Sequence, residues 1–228
     1  MRYNFPDKWE VCRREAHGKG ETKGGSVYPG TPFTDVEGSP WGEAICWAYK
    51  KGLFQGVAPL RFAPDRPMPR GMLALVAHRA AGCPAPRRRG YFLDVKPESC
   101  WAAAADWSAE RGLFQVVGGR RFALDRALTW EELAVVLWRW AGQPRLPEQL
   151  ETVRCTWGAQ GFAWALEQGL FPFSGEGAPA PGSQVTRGQA AWVAQAFWGG
   201  RNRSKGGQPG TSWGQAHRME GKAISRGR

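Results

Sequence analysis

Three strings decide the fold: WAYKKGLFQ (Trp47 to Gln55), WSAERGLFQ (Trp107 to Gln115) and WALEQGLFP (Trp164 to Pro172). Each places Gly-Leu-Phe at the same offset from a Trp. The interval from Gly52 to Arg70 recurs from Gly112 to Trp130 and from Gly169 to Arg187. A further equal step ends at Gly82, Gly142 and Gly199. Copies in phase mark a repeat architecture, in which units too small to fold alone bury one another.

Working outward, each unit reads as two helices. Trp41, Ala44, Ile45 and Ala48 lie on one helical face, as do Trp101, Ala104, Ala105 and Ser108. Gly158, Gly161, Phe162 and Ala165 make a weaker third face. The second helices carry the stripes Leu73/Val76/Ala77/Ala80, Leu133/Val136/Leu137/Trp140 and Ala190/Val193/Ala194/Phe197. Ser39 and Pro40 suit the start of the first helix. Thr129-x-x-Glu132 and Thr186-x-x-Gln189 are capping boxes, whereas the first unit has Pro69 where Thr would stand. The expected fold class is all-α: three tandem helix-pair repeats that bury their stripes by packing together. The organisation is a flexible arm (1–32), repeats at 33–82, 91–142 and 150–199, and a basic tail (200–228).

The 228 residues carry a formal net charge of +11, concentrated at Arg87, Arg88 and Arg89 and in the tail from Arg201 to Arg228. That excess favours polyanionic partners: nucleic acid, anionic polysaccharide or a membrane surface. The five Cys are scattered without a C-x-x-C pair, which argues against a zinc site or a disulfide framework. Residues 1–30 hold no apolar signal-peptide core and no apolar run is long enough to span a bilayer, so the chain reads as cytoplasmic as encoded. His17, His78 and His217 join no nucleophilic or acid–base constellation. Glu131 and Glu132 read as helix-start charges. The expectation is a protein that is not an enzyme and uses no cofactor.

The order Phe-x-Asp-Val, Trp, Gly-Leu-Phe, Phe-x-Pro and Thr-Arg-x-Gln resembles S-layer homology domains. FTDV (Phe33 to Val36), FLDV (Phe92 to Val95), FAPD (Phe62 to Asp65) and VTRGQ (Val185 to Gln189) carry the likeness, which spans roughly Phe33 to Gly199. It implies that the three helix pairs are arranged as a pseudo-threefold bundle within one chain, and it implies non-covalent anchoring to the bacterial cell wall or surface, against the cytoplasmic reading. It also implies an anionic, pyruvylated secondary cell-wall polysaccharide held in grooves between repeats; a peptidoglycan-associated polymer is a further candidate partner. No small-molecule substrate is implied. Trp130 stands where the family has Arg, Thr152 replaces the Asp, and Trp157 is one position out of phase, so fewer than three grooves are expected to bind.

On this reading the ligand-binding candidates are Asp35, Trp41, Arg70, Asp94, Trp101 and Arg187. Arg suits a carboxylate because its planar fork donates two parallel hydrogen bonds. Arg70 and Arg187 fall in the first turn of a helix, where free backbone N–H groups and the helix dipole favour an anion. The alternative for Arg70 is a structural ion pair, for example with Asp35. Asp35 and Asp94 suit either a sugar hydroxyl or a turn. Trp41 and Trp101 offer indole faces to a sugar, while Trp47, Trp107 and Trp164 are expected to pack. Two rival functions remain: a basic nucleic-acid-binding protein, and a degenerate repeat scaffold for protein contacts.

Overall fold

The computed structural model describes residues 30–145, 157–171 and 177–200. Most of the expected arm, most of the tail, the second inter-repeat link beyond Arg145, Thr152, Cys12 and Cys155 lie outside the described residues. Six helices carry the described chain: α1 (Gly42–Lys50), α2 (Arg70–Ala80), α3 (Ala102–Glu110), α4 (Trp130–Trp140), α5 (Ala159–Glu167) and α6 (Arg187–Trp198). Among the described residues extended pairing is limited to isolated bridges, so the fold is all-α.

Local chemistry accounts for the helix ends. Both capping boxes form: the Thr129 and Thr186 hydroxyls each accept from the N–H three residues on, and Glu132 and Gln189 reach back to the cap N–H groups. Pro69 supplies no side-chain cap for α2. Helix α1 begins at Gly42, later than Ser39 and Pro40 suggest, although Ser39 Oγ still accepts from Trp41 N–H at 3.3 Å. Gly52, Gly112 and Gly169 follow the first helices at φ +68°, +66° and +62°, left-handed values that glycine adopts without strain. Gly82 and Gly142 end α2 and α4 in the same way. Gly199 does not, with φ −75° as the C-cap of α6; that helix has 12 residues against 11 in α2 and α4, and the left-handed position passes to Gly200.

The helices pair between units more than within them. The principal contacts are α1 with α6, α2 with α3, and α4 with α5. Each first helix therefore lies on the second helix of another unit, and the α1–α6 contact closes the series. The long loop between the helices of one unit allows this; a short αα-hairpin loop would force them side by side. The expected stripes are buried, with Trp140 and Phe197 only half-buried at the last turns.

Closure is centred on the residue two before each second helix. Met68 N–H donates to Val185 O (2.8 Å), Val185 N–H to Leu128 O (2.9 Å), and Leu128 N–H to Met68 O (2.8 Å). All three side chains are fully buried. Every backbone donor in this core thus finds an acceptor in a different unit. At the opposite end of the helices an aromatic cluster joins Trp107, Trp140, Trp198, Phe197 and Trp164. Trp107 and Trp164 thus take the packing role expected of them.

Candidate functional site

Arg70 and Arg187 open α2 and α6, yet they do not face solvent: their exposures are 5% and 1%. Arg70 Nε donates to Phe122 O (3.0 Å), Nη2 to Gln115 O (2.7 Å) and Nη1 to Glu132 (3.0 Å). Arg187 repeats the pattern on another unit, with Nε to Phe62 O and Nη2 to Gln55 O, both 2.8 Å. The guanidiniums also stack on Phe114 and Phe122, or on Phe62. Burial pulls both pKa values down to about 10, opposed at Arg70 by Glu132, so both are charged at neutral pH. The expectation that these forks clasp a ligand is corrected here. They are struts, spending their donors on the carbonyls that hold a neighbouring unit's loop.

The free helix N-termini expected beside them are also spoken for. Arg70 and Gly71 N–H donate to Arg126 O and Leu124 O; Arg187 and Gly188 N–H to Arg66 O and Pro64 O; Trp130 and Glu131 N–H to Ser183 O and Pro181 O. The turn of one unit takes the place an anion would occupy on the helix of another.

Asp35 and Asp94 build those turns. Asp35 accepts from Phe62 N–H (2.8 Å) and Ala63 N–H (2.7 Å), and Asp94 from Phe122 N–H (2.7 Å) and Ala123 N–H (2.8 Å). Ala63 and Ala123 both sit at φ 59°, a left-handed conformation costly for a residue with a Cβ. At Asp94 partial burial works against ionisation, but the two N–H donors prevail and hold the carboxyl below its usual range. Asp35 also lies 3.9 Å from the largely exposed Arg61. Of the two roles left open for these aspartates, the geometry displays the turn. The ion pair suggested between Arg70 and Asp35 does not form; Arg70 pairs with Glu132.

The third position differs. Trp130, 2% exposed, packs its indole edge-on to Phe171 with centroids 5.1 Å apart, where the arginines stack on Phe62 or Phe122. Glu131 replaces the glycine found at 71 and 188. Its carboxylate accepts from Trp157 N–H (2.9 Å) and Gly158 N–H (2.7 Å) at the start of α5. No guanidinium enters this cleft from α4.

What faces solvent in the clefts lies above the struts. In the cleft between the third and first units, half-buried Trp41 lies on the Cα of Gly188, so that a Cβ there would collide with the indole. Arg66, whose carbonyl accepts from Arg187 N–H at the same helix start, is exposed and has no ion pair among the described residues. In the next cleft Trp101 is also half-buried, but Arg126 is bound to Glu132, which it shares with Arg70. The six expected residues therefore divide: Arg70 and Arg187 are buried struts, Asp35 (half-buried) and Asp94 (exposed) are engaged by turn N–H groups, and Trp41 and Trp101 are half-buried at the cleft.

Residues 32–71 match the family model of the S-layer homology domain. That segment carries an S-layer homology domain. The match runs from the residues before Phe33, through Asp35, Trp41 and α1, to the first turn of α2. The match supports a cell-wall or surface anchoring role in general, in a family that binds cell-wall polymers. No helix among the described residues is long and apolar enough to cross a membrane. No curated relative matches the chain.

Sequence reasoning missed the roles of Arg66 and Arg126, noted Met72 only as a position that fails to close a capping box, and read Glu132 as a cap and a helix-start charge. A signal was present: Arg66 and Arg126 close the repeated FAPDR and FALDR turns, and positions 72 and 132 share one place in the repeat. It also missed a paired C-terminal lock. His78 Nε2 lies 2.8 Å from Pro84 O, and Trp138 Nε1 donates to Pro144 O at 3.0 Å from the equivalent position. Because an indole can only donate, the shared geometry assigns the proton to His78 Nε2.

Proposed function

We propose that this module holds an anionic, pyruvylated secondary cell-wall polysaccharide at the cleft between its third and first units, and does so without catalysis. One observation carries the reading: the half-buried indole of Trp41 lies on Gly188, and the turn that caps the same helix start ends in Arg66, whose guanidinium has no ion pair among the described residues. An indole face suits the C–H surface of a sugar ring. An uncompensated guanidinium suits its carboxylate. The buried arginines contribute by fixing the walls of the cleft, so that little order has to be gained on binding. A binding rather than catalytic role is supported by the commitments of the titratable groups. Asp35, Asp94, Glu131 and Glu132 accept backbone or guanidinium donors, and His78 is tied to Pro84.

The test is retention on cell-wall sacculi carrying their secondary polysaccharide, against sacculi stripped of it. Binding should require the polymer and should weaken in Arg66→Gln and Trp41→Ala. Equal retention on stripped sacculi refutes the reading. The exposed Arg87, Arg88 and Arg89 make duplex DNA the necessary competitor; displacement by DNA but not by free wall polymer would favour a nucleic-acid partner instead.

A further inference from the structure

We propose that the residue at position 72 decides which cleft accepts an anion: Met72 leaves the cleft between the third and first units positively charged, whereas its counterpart Glu132 fills the next cleft with a carboxylate of the protein's own. This rests on the function proposed above and names the residue that selects among the clefts.

The two clefts are near duplicates, which makes the comparison informative. Arg187 and Arg70 hold equivalent positions and spend Nε and Nη2 on equivalent carbonyls. Arg66 and Arg126 end equivalent turns. Asp35 and Asp94 are each committed to two backbone N–H groups of those turns. The difference lies at the remaining Nη1. In one cleft it meets Glu132, whose Oε1 also binds Arg126. In the other it meets the Met72 sulfur, a weak acceptor that carries no charge. One carboxylate therefore pairs with two guanidiniums in the first case; in the second neither guanidinium is paired, and the carboxylate that acts on Arg187 is Asp35, already engaged by the turn N–H groups. Neither Arg187 nor Arg66 has a carboxylate within ion-pair distance among the described residues. Met72 is half-buried, so it lies between the buried guanidinium and the open cleft. In the third cleft Trp130 replaces the arginine and Glu131 accepts from the N–H groups at the start of α5. An incoming carboxylate or phosphate group finds a vacancy of its own charge only where position 72 is neutral. The ligand class is thus a singly charged acidic group on a saccharide, seated by Arg66 and bordered by Trp41.

Met72→Glu tests this, with Met72→Gln as the neutral control of equal size. Glu is tolerated at position 132 of the same motif, and helical circular dichroism checks that both variants fold. On sacculi bearing polysaccharide, Met72→Glu should bind about tenfold more weakly, a difference of ~1.4 kcal/mol, while Met72→Gln stays close to wild type. A second readout does not depend on the wall ligand. Inorganic phosphate should raise the melting temperature of wild type and Met72→Gln more than that of Met72→Glu. Failure of wild type to prefer polysaccharide-bearing sacculi would overturn the proposed function, and the phosphate comparison would still judge position 72. Equal phosphate response in Met72→Glu and Met72→Gln, or equal retention of both, overturns the inference.

Discussion

Replacing Asp35 by Ala removes one carboxylate and orphans two backbone donors. Phe62 N–H and Ala63 N–H both end on it, at 2.8 and 2.7 Å. Hydrogen bonds to a charged group contribute about 1.5–3 kcal/mol each. The side chain is 28% exposed, so water can replace part of what is lost, and we expect a cost of about 2–3 kcal/mol. The damage should spread, because the same turn offers Pro64 O and Arg66 O to α6 and Phe62 O to Arg187. Urea unfolding followed by Trp fluorescence measures it, as does a fall in melting temperature of roughly 4–12 °C. Part of the loss should return on adding Ala63→Gly, since Ala63 is held at φ 59° and glycine relieves about 1 kcal/mol of strain there. A cost below about 0.5 kcal/mol, the range of ordinary surface substitutions, refutes the claim that Asp35 holds the turn. Failure of Ala63→Gly to recover stability refutes the strain.

Two further outcomes follow from the packing. Trp130→Ala should cost about 3–5 kcal/mol, because the indole fills the place against Phe171 that arginines occupy elsewhere; a cost near zero in urea unfolding would show that the third cleft does not depend on it. His78 gives a pH dependence. Burial holds its pKa below the ordinary imidazole value, with the Pro84 carbonyl opposing and Arg79 reinforcing. The unfolded chain then takes up a proton near pH ~6.5, before the folded chain does. Stability is full above that pH and declines as pH falls through it toward the folded value. The urea midpoint should drop between neutral pH and pH 5 more steeply in wild type than in His78→Gln; parallel slopes exclude His78 as the cause.

What was legible in the sequence was local. The Gly-Leu-Phe phase, the apolar stripes and the two capping boxes are each settled within a few residues, and α1 to α6 appear where they require. The role of Arg70 was not legible in this way. At the first turn of a helix an arginine reads equally as a ligand contact or a strut, and its partners Gln115 and Phe122 are distant in sequence. The same non-locality hid the pairing of α1 with α6. It also hid the consumption of the α2 and α6 amide donors by turns of neighbouring units. Trp41 and Trp101 are only half-buried because they precede their helices instead of lying inside the stripes. The contrast between Met72 and Glu132 was visible as a departure from the repeat, but its meaning depends on Arg126 bending back onto a carboxylate six positions away.

The α1–α6 contact gives the chain an unusual freedom in how its order could be rewritten. Gly30 lies against Cys46 and Lys50, and Gly199 against Trp47, so the segment before the first unit and the end of α6 both pack on the last turn of α1. A short tether there, with new ends cut between Pro86 and Arg89, would make a circular permutant in which the second unit leads. The hydrogen bonds among Met68, Leu128 and Val185 would survive such a relocation, and those of Arg87 and Arg88 N–H to Glu110 lie at the cut.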